Sequence, residues 1–254
     1  MEEKTEGNPF AITPYKPIYM IPVVFSTNPN NEEYRRFSSN ASLNNVEVQF
    51  QLSFKLLLWR RIFGHKADLY LAYTQLSLWQ AYNLELSSPF RETNYEPEFI
   101  LRSALNTKIL GAKLRFVSLA LNHQSNGRNA PLSRSWNRII SSMAMEKGHF
   151  YWNLRVWVRV LNDGNPDMLE YLGNGDLLLV FVPHKRSKQA ISVFFRPNMR
   201  SNFRGALQVE WTFPLGINHL KAYVQFFTGY GQSMIDYNHK QTRIGAGIML
   251  TNWL

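Results

Sequence analysis

Cysteine is absent from the 254 residues. That excludes a disulfide framework, a thiolate-ligated zinc site and a thiol nucleophile. No apolar run reaches the roughly 18 residues a membrane-spanning helix needs, and helical periodicity is not sustained over any long window. Acidic residues are scarce, 18 Asp and Glu against 28 Lys and Arg, which leaves a net charge of +10. A basic balance of this kind invites nucleic acid or an anionic membrane surface. The Lys and Arg are dispersed and no nucleic-acid motif accompanies them, so nucleic acid is not expected as a partner. The opening residues, Met1-Glu2-Glu3-Lys4, contain no apolar stretch. A signal peptide is therefore not expected in this chain, and a mature exported chain with an added Met reads the same way.

What the chain does have is apolar content without apolar runs. Hydrophobic residues make up 45% and aromatics 14%, yet the mean hydropathy is below zero. The explanation is alternation. Val46, Val48, Phe50, Leu52, Phe54 and Leu56 interleave with Glu47, Gln49, Gln51, Ser53 and Lys55. Period two over that length is a strand with one apolar and one polar face. The same pattern recurs at 113–121, 153–160, 207–213, 220–226 and 244–250, and further strands are expected near 16–27, 67–79, 98–107, 135–145, 168–182 and 190–197. Turn residues separate them, as in Asn162-Asp163-Gly164-Asn165-Pro166, Gly173-Asn174-Gly175 and Pro197-Asn198.

About a dozen strands of about ten residues each fit an all-β fold, a transmembrane antiparallel up-and-down β-barrel. A soluble β-sandwich also alternates, but its strands are usually about five or six residues long. We expect one domain over 1–254, with an irregular N-terminal arm over 1–14 and an apolar, aromatic finish at Leu250-Thr251-Asn252-Trp253-Leu254.

The chemistry concentrates after the alternating segment 113–121. His123 and Ser125 are two residues apart, so a strand that continues through them puts both on one face, with Val117, Leu119 and Leu121. The imidazole is then positioned to take the hydroxyl proton. A third polar group must hold the histidine's tautomer, and Asn137, beyond a short loop, is the candidate. A His and a Ser at this spacing on a strand are, taken alone, usually incidental. What changes the reading is the contiguous pattern around them.

His123-Gln124-Ser125-Asn126-Gly127-Arg128, followed by Ser133-Arg134-Ser135-Trp136-Asn137-Arg138, resembles the active-site signature of the outer membrane phospholipase A family. Ser87–Pro97, Gly229–Ser233 and Ile235–Asn238 resemble the same family, and the likeness runs from about residue 8 to the end. The resemblance implies a twelve-stranded barrel in the outer membrane of a Gram-negative bacterium. It implies a calcium-dependent phospholipase (A1/A2 and lysophospholipase type) that acts on outer-leaflet phospholipid and is active as a homodimer. By resemblance Ser125 is the nucleophile, His123 the base, Asn137 its orienting partner and the Gly127 amide the oxyanion donor. The calcium ligands implied are the Arg128 carbonyl, the Ser133 hydroxyl and Ser87 from the partner subunit, an oxygen set suited to a hard cation. Gln75 is implied at the dimer interface; a glutamine solvated at the bilayer edge is the plainer reading. The loop Asn129-Ala130-Pro131-Leu132 lacks the acid that other members carry there, which puts a second calcium position in doubt.

Other residues read more plainly. His65, His149, His184, His219 and His239 lack comparable neighbours and are expected on the surface or in loops. Asp163 and Asp167 are expected to cap or solvate a turn. Trp79, Trp136, Trp152, Trp157 and Trp211 are expected in aromatic girdles or packing. Arg134, Arg138 and Lys147 are expected at a solvated rim or against lipid phosphate. Two alternatives stay open: a structural or pore-forming barrel without catalysis, and a soluble lipid-binding β-protein.

Overall fold

The computed structural model describes residues 12–35, 42–64, 67–88, 90–161, 164–183, 188–217 and 220–251. Thirteen strands form one antiparallel sheet: β1 (Ile12–Pro14), β2 (Ile18–Ser26), β3 (Val46–Trp59), β4 (Ala67–Trp79), β5 (Glu92–Ile109), β6 (Ala112–Ser125), β7 (Ser135–Lys147), β8 (Phe150–Val160), β9 (Gly175–Phe181), β10 (Ala190–Pro197), β11 (Gly205–Pro214), β12 (Lys221–Gly229) and β13 (Gln241–Thr251). From β2 onward each strand pairs with the next in sequence, and β13 pairs with β2, so the sheet closes on itself. β1 and β2 lie against successive parts of β3, Pro14 beside Phe54 and Tyr19 beside Gln51. They occupy one wall position, and the barrel therefore has twelve staves. Of the irregular arm expected over 1–14, residues 12–14 are a short strand, and 1–11 lie outside the described residues.

The alternation sets which face each side chain takes. On β6, Leu119 and Leu121 are 51% and 59% exposed, whereas Ala120 and Asn122 are buried. Val156 and Val158 on β8 and Ile244 and Leu250 on β13 repeat the outward apolar face. No sandwich with two solvent faces presents such a surface, and none needs to; a lipid-facing barrel does. The inward face is polar and internally matched. Lys16 Nζ lies 2.7 Å from Glu96, Arg138 Nη2 lies 3.2 Å from the same carboxylate, and Arg155 Nε lies 2.9 Å from Asp176. Tyr223 Oη donates to Glu210 at 2.9 Å, and Gln49 bridges Tyr19 and Gln225. Buried charges survive only when paired in this way.

The two ends of the barrel differ. At one, two-residue turns join β5 to β6 and β7 to β8. At the other, longer loops gather, two of them bearing the short helices α1 (Asn31–Arg35) and α2 (Met168–Leu172). In barrels of this class short turns face the periplasm and long loops face outward. The long loops are pinned across the mouth. Arg91 reaches Glu47 (2.7 Å) and Asp236 (2.9 Å), and Asp236 also accepts from Asn30 and Ser233. Burial alone would raise the Asp236 carboxyl; the Arg91 guanidinium and these donors outweigh it and hold the group below its usual range.

Three expectations change. The strand predicted over 168–182 divides into α2, a stop at Gly173 (φ 61°), and β9. Met168 and Leu172 are both buried while Glu170 between them is not, a pattern that one helical face satisfies and the alternation of a strand does not. Asp167 stands at the N-cap of α2, yet its carboxylate accepts from Tyr237 Oη at 2.7 Å instead of capping. Asp163 lies outside the described residues, as do Asn252, Trp253 and Leu254. Arg138 is the third correction. It is buried inside the barrel, 4.0 Å from the Trp136 ring, because its even position on β7 faces inward. Trp136 and Trp157 pack edge to face in the lumen, while Trp211 is 45% exposed on the outer wall.

Candidate active site

β6 and β7 run antiparallel with His123 directly opposite Asn137 and Ser125 opposite Ser135. All are on the outward face, at the long-loop end. His123 Nδ1 lies 2.8 Å from Asn137 Oδ1. An amide oxygen only accepts, so this bond puts the ring proton on Nδ1 and leaves Nε2 as the free base. Ser125 is half-buried and His123 is exposed. Their Cα atoms are about 6.6 Å apart at two strand residues, so side-chain rotation alone can bring hydroxyl and imidazole to contact.

Beyond Ser125 the chain turns through 126–134. Asn126 is buried and organises that turn. Its Oδ1 accepts from the amides of Arg134 (2.9 Å) and Arg128 (3.4 Å), and its Nδ2 donates to the Leu132 carbonyl (2.9 Å). The amide of Asn126 donates to the Arg134 carbonyl at 3.0 Å. Gly127 sits at φ +64°, and a Cβ there would meet Tyr95 Cε2 at 2.9 Å. Glycine is thus required twice over, by backbone conformation and by the ring. Tyr95 is itself the cross-strand neighbour of Ser125.

The loop is tied to two others. Arg128 Nη2 donates to the carbonyls of Phe90 and Arg91, joining it to the segment that carries Ser87. Glu92, fully buried, accepts from Asn94 (2.7 Å) and the Ile235 amide (3.0 Å) on one oxygen, and faces Asn126 and Arg128 at 3.4 Å with the other. Arg134 pairs with Glu33 on α1.

The structure therefore brings His123 and Asn137 into contact, sets Ser125 beside them, and gathers Gly127, Arg128 and Ser133 in one loop. Ser133 is exposed; Ser87 is half-buried and its carbonyl accepts from Trp79 Nε1 at 2.7 Å. Gln75 stands apart on β4, but in the same row: Gln75 pairs with Tyr95, which pairs with Ser125. Its amide has partners within the strand, Tyr73 Oη at 3.0 Å and Ser77 Oγ at 3.2 Å. As for a cation, no group of three or more His, Asp or Glu is placed to hold a metal ion among the described residues. The Arg128 carbonyl and the Ser133 hydroxyl are neutral oxygens that fit calcium chemically but fill only part of its usual six to eight positions. His149 lies exposed with Nδ1 2.8 Å from the Val182 carbonyl, and His239 Nε2 is 3.0 Å from the Asn28 carbonyl. His65, His184 and His219 lie outside the described residues, as does Pro89. Residue-by-residue reading assigned nothing to Asn126 or Glu92; the only available signal was their place within the recurring motifs.

The family described as Phospholipase A1 matches residues 1–250. Phospholipase A1 of Escherichia coli K12 is 38% identical over 246 residues, 96% of this chain and 83% of that protein. A putative phospholipase A1 of Neisseria meningitidis serogroup B is 36% identical over 254 residues, covering 94% of this chain and 65% of that one. Among solved structures, outer membrane phospholipase A from Escherichia coli superposes with a TM-score of 0.90 at 38% identity, over 98% of this chain and 95% of that one. An outer membrane phospholipase dimer of Salmonella typhi with bound calcium gives a TM-score of 0.91 at 37% identity, over 97% and 95%.

Proposed function

The chain belongs to the phospholipase A1 family and is a β-barrel of the Gram-negative outer membrane, and on that premise we propose that it hydrolyses phospholipid acyl esters through Ser125, His123 and Asn137. The observation that carries this is the 2.8 Å contact between His123 and Asn137 with Ser125 beside it on the lipid-facing wall.

In this reading Ser125 Oγ attacks the ester carbonyl while His123 Nε2 takes its proton. The proton passes to the departing lysophospholipid or glycerophospho alcohol, leaving an acyl-serine, and His123 then activates water for deacylation. Asn137 holds the ring and fixes the tautomer. It does so without charge, which suits a site at the edge of lipid where an ionised carboxylate would be costly to desolvate. It also stabilises the imidazolium less than an aspartate does, so the oxyanion must be stabilised by other groups. The Gly127 amide is one donor. The Arg128 carbonyl and the Ser133 hydroxyl, with Ser87 of a second copy, would hold calcium, which would supply positive charge to stabilise the oxyanion.

A ligand set divided between two copies makes the homodimer the active form, with Gln75 at its interface; monomers in an undisturbed membrane rest. Substrate arrives laterally, since the site faces the outer leaflet and not the lumen. A channel function is disfavoured because Trp136, Trp157, Arg138 and Glu96 are buried across the lumen.

The test is fatty-acid release from phospholipid in detergent micelles, with calcium and with chelator, for the native chain and Ser125→Ala. Calcium-dependent release that disappears in Ser125→Ala is the expected result. A folded barrel that releases nothing at any calcium concentration overturns the catalytic reading, and ion conductance without hydrolysis would favour a pore.

A further inference from the structure

Two stretches of family likeness contribute little to the proposed reaction. Of Ser87–Pro97 only Ser87 enters it, and of Gly229–Ser233 and Ile235–Asn238 no residue does. In the fold they meet each other. Residues 234–236, between β12 and β13, dock on 91–94 at the start of β5. The Met234 amide donates to Asn94 Oδ1 (2.9 Å), the Ile235 amide donates to Glu92 Oε1 (3.0 Å), and Asp236 accepts from Arg91 Nη1 (2.9 Å). β12 and β13 stand six wall positions round the ring from β6 and β7, so this segment reaches across the mouth from the wall opposite Ser125.

Glu92 carries that contact to the site. It is fully buried. Asn94 and Ile235 donate to one of its oxygens, and Asn126 Nδ2 and Arg128 Nε face the other, each at 3.4 Å. A carboxylate meets these four donors with acceptors on both atoms; an amide of the same shape does not. The consequence falls on Asn126. Its Nδ2 is claimed by Glu92 and the Leu132 carbonyl, which leaves Oδ1 to accept from the amides of Arg128 and Arg134. Those amides close the turn that presents Gly127. A reversed Asn126 side chain would set an NH2 group against both of them.

We propose that Glu92 is a positioning residue for the hydrolytic reaction. It fixes the orientation of the Asn126 side chain, and through it the aim of the Gly127 N–H, and it takes its own position from the β12–β13 segment. The inference rests on the phospholipase reading and deepens it: the oxyanion loop is braced from the far wall and not by the β6–β7 hairpin alone. Glu92 does not reach the surface, so its influence falls on kcat and not on KM.

The test is Glu92→Gln, which keeps the shape and sets an NH2 group among donors. kcat and KM for phospholipid hydrolysis at saturating calcium are read in detergent micelles, with amide hydrogen exchange over 126–134 by mass spectrometry. We expect kcat per folded molecule to fall about tenfold to a hundredfold, the scale of a displaced reacting group. KM should stay within about twofold, since no contact with bound substrate is lost, and exchange over 126–134 should rise. In an Asn126→Ala background Glu92→Gln should alter kcat less than about twofold, because the path to Gly127 is already cut. Asn94→Ala, which removes one donor to Glu92 and the acceptor of the Met234 amide, gives the same direction of change should Glu92→Gln fail to fold. Glu210→Gln, the same exchange at a buried carboxylate on β11, should leave kcat per folded molecule unchanged. Unaltered kcat in Glu92→Gln and Asn94→Ala, a loss undiminished in the Asn126→Ala background, or unchanged exchange over 126–134 would each overturn the proposal. A native chain that hydrolyses nothing overturns the phospholipase reading and this inference with it, whereas an active native chain with unaltered variants overturns this inference alone.

Discussion

Gly127→Ala separates the role of one glycine's backbone geometry from the stability of the barrel. The residue sits at φ +64°, where an L side chain costs about 1 kcal/mol relative to glycine. The new Cβ would stand 2.9 Å from Tyr95 Cε2, well inside the roughly 3.5–4.0 Å at which carbons attract. Tyr95 is 38% exposed, so its ring gives way by somewhat under about 1 Å rather than breaking the loop. The summed cost to folding is then about 1–2 kcal/mol, small beside the cooperative stability of a closed sheet. The effect on catalysis is larger. Alanine keeps the N–H, so the loss comes from strain that turns the amide off the oxyanion; a fully misdirected donor costs on the order of 10²–10³ in kcat, and the crowded Tyr95 ring is the cross-strand neighbour of Ser125. The assay is kcat for phospholipid hydrolysis at saturating calcium, paired with the shift in gel mobility on heating, which reports the folded fraction. The double variant Gly127→Ala, Tyr95→Ala removes the contact and leaves the backbone cost. Activity within about twofold of the native chain in a fully folded Gly127→Ala protein would refute the requirement for glycine geometry at this amide. Activity falling only in step with the folded fraction would assign the whole effect to stability.

Other outcomes follow from the same contacts. Asn137→Ala removes one neutral hydrogen bond worth about 0.5–1.5 kcal/mol and frees the ring tautomer; kcat should fall roughly tenfold, far short of the loss in Ser125→Ala, and a 10⁴-fold loss would contradict a neutral orienting role. Arg128→Met keeps the backbone carbonyl but cuts the tether to Phe90 and Arg91. The calcium needed for half-maximal activity should rise about tenfold, the scale of a lost charged hydrogen bond, and an unchanged calcium titration would show the tether to be idle. Asp236 is held below its usual range by Arg91 despite burial. Its contribution to stability is therefore present above the unfolded value, near pH 4, and is lost as pH falls through the folded one. Protease sensitivity of the long loops should rise below about pH 4, and Asp236→Asn, which leaves Arg91 without that partner, should cost about 3 kcal/mol already at pH 7. A native chain whose loops are equally protected at pH 7 and pH 3 would contradict this account.

Local pattern determined a good deal about this protein. Period-two alternation is a property of neighbouring residues, and it located the strands at 67–79 and 190–197 to the residue and most others to within a few positions, although 98–107 missed the start of β5 at Glu92 and 168–182 took in α2 ahead of β9. It also assigned His123 and Ser125 to one outward face, and by parity it should have sent Arg138 inward, which the rim expectation overlooked. Other features lay beyond local pattern. The helix at Met168–Leu172 forms because its apolar pair buries against side chains contributed by distant strands. The loop carrying Gly127 is held by Asn126 and Glu92, and Glu92 in turn by the Ile235 amide, 143 residues away. Gln75 proved to have partners in its own strand. The ion pairs of the lumen exist only because closure of the sheet turns the polar faces of separate strands toward one another, as in Lys16 with Glu96. Sequence thus determined which face each side chain takes, since that depends on backbone period alone. Which polar groups meet was decided by the closed register of the barrel, because pairing energies in its interior depend on contacts between strands far apart in the chain.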